Sequence, residues 1–141
     1  MRISKNFKLN EFTKSDTATK LKIDNTKVPD YAIMNLKLLV EYILQPLRDK
    51  IKCPIKISSG YRCLQVNAAV GGVPSSQHVL GQASDIKVSS MTPYQVAKTI
   101  VELNLPFDQL ILYPTFVHVS YNRDRNRNKL LYNKSYTGKK I

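Results

Sequence analysis

The sequence predicts one α+β domain in which helices flank a small, mostly antiparallel sheet. In some segments apolar residues recur every three or four positions, as in amphipathic helices, and in others they alternate with polar residues, as in half-buried strands. The chain has 141 residues, of which 43% are hydrophobic, so it can close one core and has no room for a second independent one.

The predicted helices follow a lead-in, residues 6–27, which is expected to be irregular or short-helical and to anchor its aromatic side chains on the core. A long helix begins at Pro29, and Pro46 is expected to kink or end it because a proline ring clashes with the preceding turn. The apolar stripe of this helix is Ile33, Leu36, Val40, Ile43 and Leu47. A short helix is predicted over residues 63–70, and another begins at the capping pair Thr92-Pro93.

Four segments alternate apolar and polar residues and are predicted to be strands. The first is residues 54–59, and the second begins at Asp85, which points away from the apolar face of its strand. The last two, residues 108–113 and 116–121, are predicted to pair as a hairpin, with His118 in mid-strand.

Positive charge is concentrated at the C-terminus. The formal net charge is +12, and residues 122–141 alone carry seven Lys and Arg against one Asp, a net +6. We therefore predict a folded domain over residues 1–121 and a basic, weakly ordered tail over residues 122–141. Such a tail favours weak binding to polyanions, including nucleic acid, anionic lipid and envelope polymers. A nucleic-acid-binding domain is one hypothesis, but no recognition motif accompanies the tail.

No segment is predicted to cross a membrane or to direct secretion. The longest apolar candidate, residues 32–47, is interrupted by polar and charged side chains, whereas a spanning helix needs roughly 18 apolar residues. The amino terminus is basic but lacks the apolar stretch and the cleavage site of a secretory signal. The expectation is a protein made in the cytoplasm that depends on another factor for release if its substrate lies outside.

The two histidines of the chain, His78 and His118, lie in segments that can form a metal site together with Asp85. Zinc in hydrolases takes three protein ligands from His and carboxylate side chains and keeps a fourth position for water. Gly81 lets the loop between His78 and Asp85 turn tightly enough to bring both side chains to one point. In the alternative interpretation, the three residues are ordinary loop, strand-end and sheet residues without a metal.

Four stretches of the chain carry a family resemblance. They are Ser58-Ser-Gly-Tyr-Arg-Cys63, Ser76-Gln-His-Val-Leu-Gly-Gln-Ala-Ser-Asp85, Phe107-Asp-Gln-Leu-Ile111 and Phe116-Val-His-Val-Ser120. Together they resemble the zinc D-alanyl-D-alanine carboxypeptidase family, which includes many phage endolysins, and the similarity runs over residues 7–121. The resemblance implies the hedgehog-like peptidase fold and a zinc ion held by His78, Asp85 and His118.

The resemblance also implies two substrate-binding residues beside the metal. Arg62 matches the family arginine that holds substrate, where its planar fork suits a carboxylate or a carbonyl oxygen. A surface ion pair is the alternative role for Arg62. Ser76 matches a position near the site, where its hydroxyl is expected to bond a ligand carboxylate or the substrate, or else to cap its loop.

The general base is the point at which this sequence departs from the family. An acidic residue is expected a few positions before His118, but residues 112–117 contain none. Asp108 is the nearest upstream carboxylate, and a structural role is favoured for it over catalysis. Tyr113 stands about where the acid is expected, and it is a candidate hydrogen-bond donor to the oxyanion or a packing residue, since a phenol is a poor base.

The sequence thus predicts a zinc-dependent peptidase that hydrolyses amide bonds in bacterial peptidoglycan peptides. The two activities expected from the resemblance are D-Ala-D-Ala carboxypeptidase and endolysin-type endopeptidase, and the missing signal fits a phage or prophage lysin that acts on the wall after release. The alternative, motivated by the missing acid, is a catalytically impaired, zinc-containing protein that binds the cell wall.

Overall fold

The structure, a computed structural model, describes residues 1–141 and places six α-helices around a five-stranded sheet. The helices are α1 (Leu9–Thr13), α2 (Asp16–Leu21), α3 (Asp30–Leu39), α4 (Gln45–Ile51), α5 (Leu64–Ala69) and α6 (Pro93–Glu102). The strands are β1 (Arg2–Ser4), β2 (Phe7–Lys8), β3 (Lys56–Ser59), β4 (Ala83–Lys87), β5 (Gln109–Leu112), β6 (Val117–Ser120) and β7 (Lys129–Tyr132). No helix combines the length and the apolar character that crossing a lipid bilayer requires.

The five-stranded sheet has the order β3-β4-β6-β5-β7. Every neighbouring pair is antiparallel except β5 and β7, which run parallel, and β1 and β2 form a separate antiparallel pair. The predicted α+β class with a small, mostly antiparallel sheet is therefore confirmed. Strand β4 is central to the site because it has β3 on one side and β6 on the other.

Elements with strong local signals were predicted correctly. Helix α6 begins after Thr92, whose hydroxyl accepts a hydrogen bond from the backbone of Gln95, while the Gln95 side chain accepts one from the backbone of Thr92. This capping box satisfies two backbone donors that a helix start leaves free. The hairpin of β5 and β6 also forms as predicted, and β4 begins at Ala83, two residues before the predicted start.

The long helix does not end at Pro46. Helix α3 continues through a π-helical turn, Val40–Leu44, into α4. In that turn the backbone N–H of Gln45 donates to the carbonyl of Val40, five residues earlier. A proline in a regular helix lacks one hydrogen bond and clashes with the carbonyl four residues before it, and a wider turn just before Pro46 accommodates the ring. The helical segment therefore extends to Ile51.

The C-terminal segment contributes the edge strand β7 to the sheet. Residues 129–132 pair in parallel with β5, and Tyr136 packs against the core cluster. This differs from the expectation of a weakly ordered tail outside the domain. Strand β7 has only four residues, does not alternate apolar and polar side chains, and follows a polar run, so no strand pattern is visible in the sequence. Its parallel pairing with β5 forms only in the folded chain.

One hydrophobic core lies between the helices and the sheet. Phe7 and Phe12 from the lead-in are fully buried in it, as the sequence predicted. The largest aliphatic side chains buried in it are Leu36, Leu39, Ile43, Leu44, Leu47, Ile86, Ile100, Leu110 and Leu112. The core therefore joins the long helical segment to the strands that carry the candidate site.

Candidate metal centre and cleft

Asp85 and His118 meet because they are direct partners in the sheet. Strand β4 pairs with β6 in a register that sets Asp85 opposite His118. Side chains directly opposite each other in an antiparallel pair lie on the same face and in contact distance. The Oδ1 atom of Asp85 lies 3.0 Å from Nδ1 of His118.

His78 reaches the same point from the loop before β4. Its Nδ1 lies 2.8 Å from the carbonyl oxygen of Gly60, so the protonated Nδ1 donates to that carbonyl and Nε2 is left as a free donor atom. The Nε2 atom lies 3.5 Å from Oδ1 of Asp85. Gly60 itself packs against α1, where a Cβ would lie 2.7 Å from the carbonyl oxygen of Phe12.

Gly81 allows the loop to return from His78 to β4. Its φ of +74° lies in the left-handed region, and a Cβ there would lie 2.5 Å from the carbonyl oxygen of Ala32 on α3. The side chain of Asn35 also holds this loop, because its amide donates to the carbonyl of Leu80 at 2.9 Å. The tight loop that the sequence predicted is thus pressed against the long helical segment.

These three side chains form a compact donor set. His78, Asp85 and His118 each offer one donor atom, and those atoms all lie within 4.8 Å of one another. His78 and Asp85 are buried, and His118 is half-buried. Two imidazoles and one carboxylate match the ligand chemistry of hydrolytic zinc sites, so the residues present fit a zinc ion.

The carboxyl group of Asp85 is poised to be ionised. Burial raises the pKa of Asp85, but hydrogen bonds from His118 and His78, together with their positive charge when protonated, lower it more. The net result is a pKa well below the usual range of an aspartate. A buried carboxylate that stays charged is suited to bind a cation.

Arg62 lies beside the cluster, next to Asp85. Its Nη2 lies 3.8 Å from Oδ2 of Asp85, its Nε donates to Ser59 and its Nη1 donates to the side chain of Asn67. Burial lowers the pKa of Arg62, and the charge of Asp85 partly offsets this. The guanidinium is held on three sides and keeps further N–H donors for a substrate.

Asn25 braces the segment that carries Arg62, and sequence analysis missed it. The side chain of this buried residue donates to the carbonyls of Thr13 and Tyr61 and accepts a hydrogen bond from the backbone of Cys63. It therefore holds the backbone on both sides of Arg62. No local pattern marks Asn25, because its partners at Tyr61 and Cys63 lie 36 and 38 residues away.

The charges of Asp85 and Arg62 change the pKa of Tyr113. Burial raises the pKa of Tyr113, the charge of Asp85 raises it further, and Arg62 lowers it, with a net increase. The ring stacks on Phe116 with centroids 4.3 Å apart. A phenol with a raised pKa keeps its proton, so Tyr113 can donate a hydrogen bond and cannot act as a base near neutral pH.

Asp108 does not belong to the donor set. Its carboxylate accepts hydrogen bonds from Nε and Nη2 of Arg127, at 2.8 and 3.0 Å, and from the side chain of Gln77 at 2.9 Å. These contacts agree with the structural role favoured for it, and they leave Asp85 as the only carboxylate of the donor set. No other carboxylate in the donor set takes the place of the acidic residue that was expected a few positions before His118.

Ser76 lies two residues before His78, in the loop that precedes β4. Its hydroxyl accepts a hydrogen bond from the backbone N–H of His78 at 3.2 Å, as in the loop-capping alternative. The same side chain also lines the cleft. In this arrangement Ser76 orients the His78 backbone rather than a ligand carboxylate.

A cleft of about 600 Å³ opens beside His118. Six of the thirteen residues that line it are polar and uncharged: Ser75, Ser76, Gln77, Gln82, Gln109 and Asn122. Amides and hydroxyls supply both donors and acceptors for the backbone of an extended peptide. The lining also includes Asp108, which comes three residues before Ile111, the strand partner of His118, and it includes Arg125 and Arg127.

Comparison with known protein families gives a match over most of the chain. The family model described as Peptidase M15 matches residues 5–120, which include the whole donor set. A search of curated proteins found no match to this chain. The match covers most of the chain, including the strands and the loop that build the cluster. The protein therefore belongs to the peptidase M15 family.

Proposed function

We propose that this protein is a zinc-dependent peptidase that hydrolyses amide bonds in the peptide part of bacterial peptidoglycan. The observation that carries the proposal is the convergence of His78, Asp85 and His118, with donor atoms within 4.8 Å of one another, beside a cleft of peptide size. Family membership supports peptide-bond hydrolysis, and the zinc ion and the wall substrate are the parts that we add.

The donor set is arranged to hold zinc. Gly60 fixes the ring of His78 by accepting from its Nδ1, and the sheet register fixes His118 against Asp85. When bound, zinc supplies Lewis acidity and a water molecule that loses a proton near neutral pH. Outer contacts such as the one to Gly60 typically change metal affinity by about 10- to 100-fold.

The remaining residues orient the substrate. Arg62 presents its free N–H donors beside Asp85, where they can bind a substrate carboxylate or the carbonyl of the bond that is cut. Tyr113 donates a hydrogen bond to the oxygen on which negative charge develops. The amide-lined cleft holds the peptide backbone in line with the cluster.

The experiment measures zinc content and cleavage together. Zinc-loaded protein is incubated with purified peptidoglycan, and mass spectrometry detects new amine and carboxyl termini. The change His118→Ala is expected to remove both bound zinc and cleavage, whereas Asn10→Ala, an exposed change on α1, is expected to preserve both. Cleavage by the His118→Ala variant at the wild-type rate would contradict the proposal.

A second candidate function is a zinc-containing wall-binding protein without catalysis. It is favoured by the absence of any carboxylate other than Asp85 in the donor set, since peptide hydrolysis needs a proton acceptor near the metal. In the same experiment, zinc-loaded protein that sediments with peptidoglycan and leaves it uncut would support this candidate. For the peptidase, we infer that it acts on the wall after release, as a phage or prophage lysin.

A further inference from the structure

Part of the cleft is built by residues that the family match does not cover. The match ends at residue 120, but Asn122, Arg125 and Arg127 line the cleft that begins at His118. The segment after β6 therefore adds a wall of its own to the site. The family match therefore does not say what these residues bind.

The wall is held in place by Asp108. The backbone N–H of Arg127 donates to Oδ1 of Asp108 at 3.0 Å, in addition to the two side-chain bonds from its guanidinium. The backbone N–H of Asn128 donates to the carbonyl of Phe107, and the side chain of Asn126 accepts from Asn122. Segment 122–128 is thus fixed against the start of β5.

The charges of the cleft are not balanced. Asp108 is the only carboxylate that lines it, and Arg127 already neutralises Asp108. Arg125 takes part in none of the ion pairs of the molecule and is exposed. Since the other lining residues carry no fixed charge apart from the ionisable His118, one guanidinium without an ionic partner remains in the cleft, in the segment that is held at Asp108.

We propose that Arg125 forms a subsite for a carboxylate of the substrate peptide, separated along the cleft from the bond that is cut. This inference rests on the proposed peptidase function. A guanidinium binds a carboxylate through two parallel N–H donors, and the neighbouring amide of Asn122 supplies a further donor. The subsite makes the protein selective for wall peptides that carry a free carboxylate over those in which it is amidated.

The test uses two synthetic stem peptides that are identical except that the D-glutamate α-carboxylate is free in one and amidated in the other. Wild-type protein is expected to bind the carboxylate form about two- to fivefold more tightly by isothermal calorimetry, as for an exposed ion pair. With zinc bound, kcat/KM is expected to show the same preference. Arg125→Ala is expected to lose the preference, and Arg125→Glu to reverse it.

The matched control is Arg123→Ala, because Arg123 is exposed, lies in the same segment and does not line the cleft. This variant is expected to keep the wild-type preference. A wild-type protein that binds both peptides equally, or an Arg125→Ala variant that keeps the preference, would overturn the subsite. Calorimetry needs no turnover, so a preference between the stem peptides, together with peptidoglycan that the zinc-loaded protein leaves uncut, would refute the peptidase function and leave the subsite standing.

Discussion

Asp85 and Asp108 are both buried aspartates in or beside strands of the same sheet, yet they have different partners. Asp85 lies among two imidazoles, with the guanidinium of Arg62 no nearer than 3.8 Å, whereas Asp108 accepts two hydrogen bonds from the guanidinium of Arg127, at 2.8 and 3.0 Å. In both residues the pKa of the carboxyl group lies below its usual value. The difference between them is the chemistry of the neighbours rather than the ionisation of the acid.

The imidazoles of His78 and His118 are metal ligands themselves, so they leave the carboxylate of Asp85 open to a metal. A guanidinium is a permanent cation, so the charge of Asp108 is already neutralised. Asp108 therefore has a structural role and no catalytic one. Asp85 therefore belongs to the donor set beside the cleft, and Asp108 anchors the C-terminal segment that contributes to the lining of the cleft.

The largest effect is expected on metal binding. Asp85→Asn removes a charged donor, and since even outer partners change affinity by 10–100-fold, zinc affinity is expected to fall by more than about a hundredfold. Asp108→Asn, the matched control, is expected to leave zinc affinity unchanged. Competition with a zinc-sensitive dye measures both variants, and equal losses in the two would remove the distinction between the carboxylates.

A smaller effect is expected on the pH dependence of stability. Hydrogen bonds from Arg127 lower the pKa of Asp108, so their contribution to the free energy of unfolding is complete above the unfolded pKa of about 3.9 and disappears as the pH falls through the lower folded value. Arg127→Ala is therefore expected to be less stable than wild type at pH 7, with a smaller difference at pH 3, as measured by urea unfolding.

The control for Arg127→Ala is Arg123→Ala, whose ion pair with Asp124 is 3.9 Å long and exposed. Exposed pairs contribute little, so this variant is expected to match wild type at both pH values. A stability difference for Arg127→Ala that is the same at pH 7 and pH 3 would show that the charge of Asp108 is not its cause.

The smallest effect on stability is expected for Ser84, which is next to Asp85 in the chain and points to the opposite face of β4. Ser84 is fully buried and its hydroxyl has no hydrogen-bond partner, so Ser84→Ala is expected to leave the free energy of unfolding unchanged or to raise it by up to about 1 kcal/mol. Ser120→Ala is the control, because that hydroxyl accepts from the backbone of Gln109, and it is expected to destabilise by about 1 kcal/mol. A loss of stability in Ser84→Ala equal to that in Ser120→Ala would contradict this.

Local signals explain which elements could be predicted from sequence. The cap at Thr92 and the hairpin around His118 depend on residues a few positions apart, so their patterns are visible in the chain. The sequence left open whether Pro46 kinks or ends the long helix, because the outcome depends on a π-helical turn that no local pattern marks. The braces at Asn25 and Gln77 were also missed, since their partners are distant in sequence.

The sequence alone determined the chemical identity of the candidate metal ligands, because the chain has two histidines and they lie in segments that resemble one peptidase family. Only the tertiary structure decided that Asp85 and His118 are opposite each other, that Gly60 orients His78, and that Arg127 neutralises Asp108. The physical reason is that residue types are local properties, whereas strand register and the pairing of buried charges depend on contacts between segments that only folding brings together.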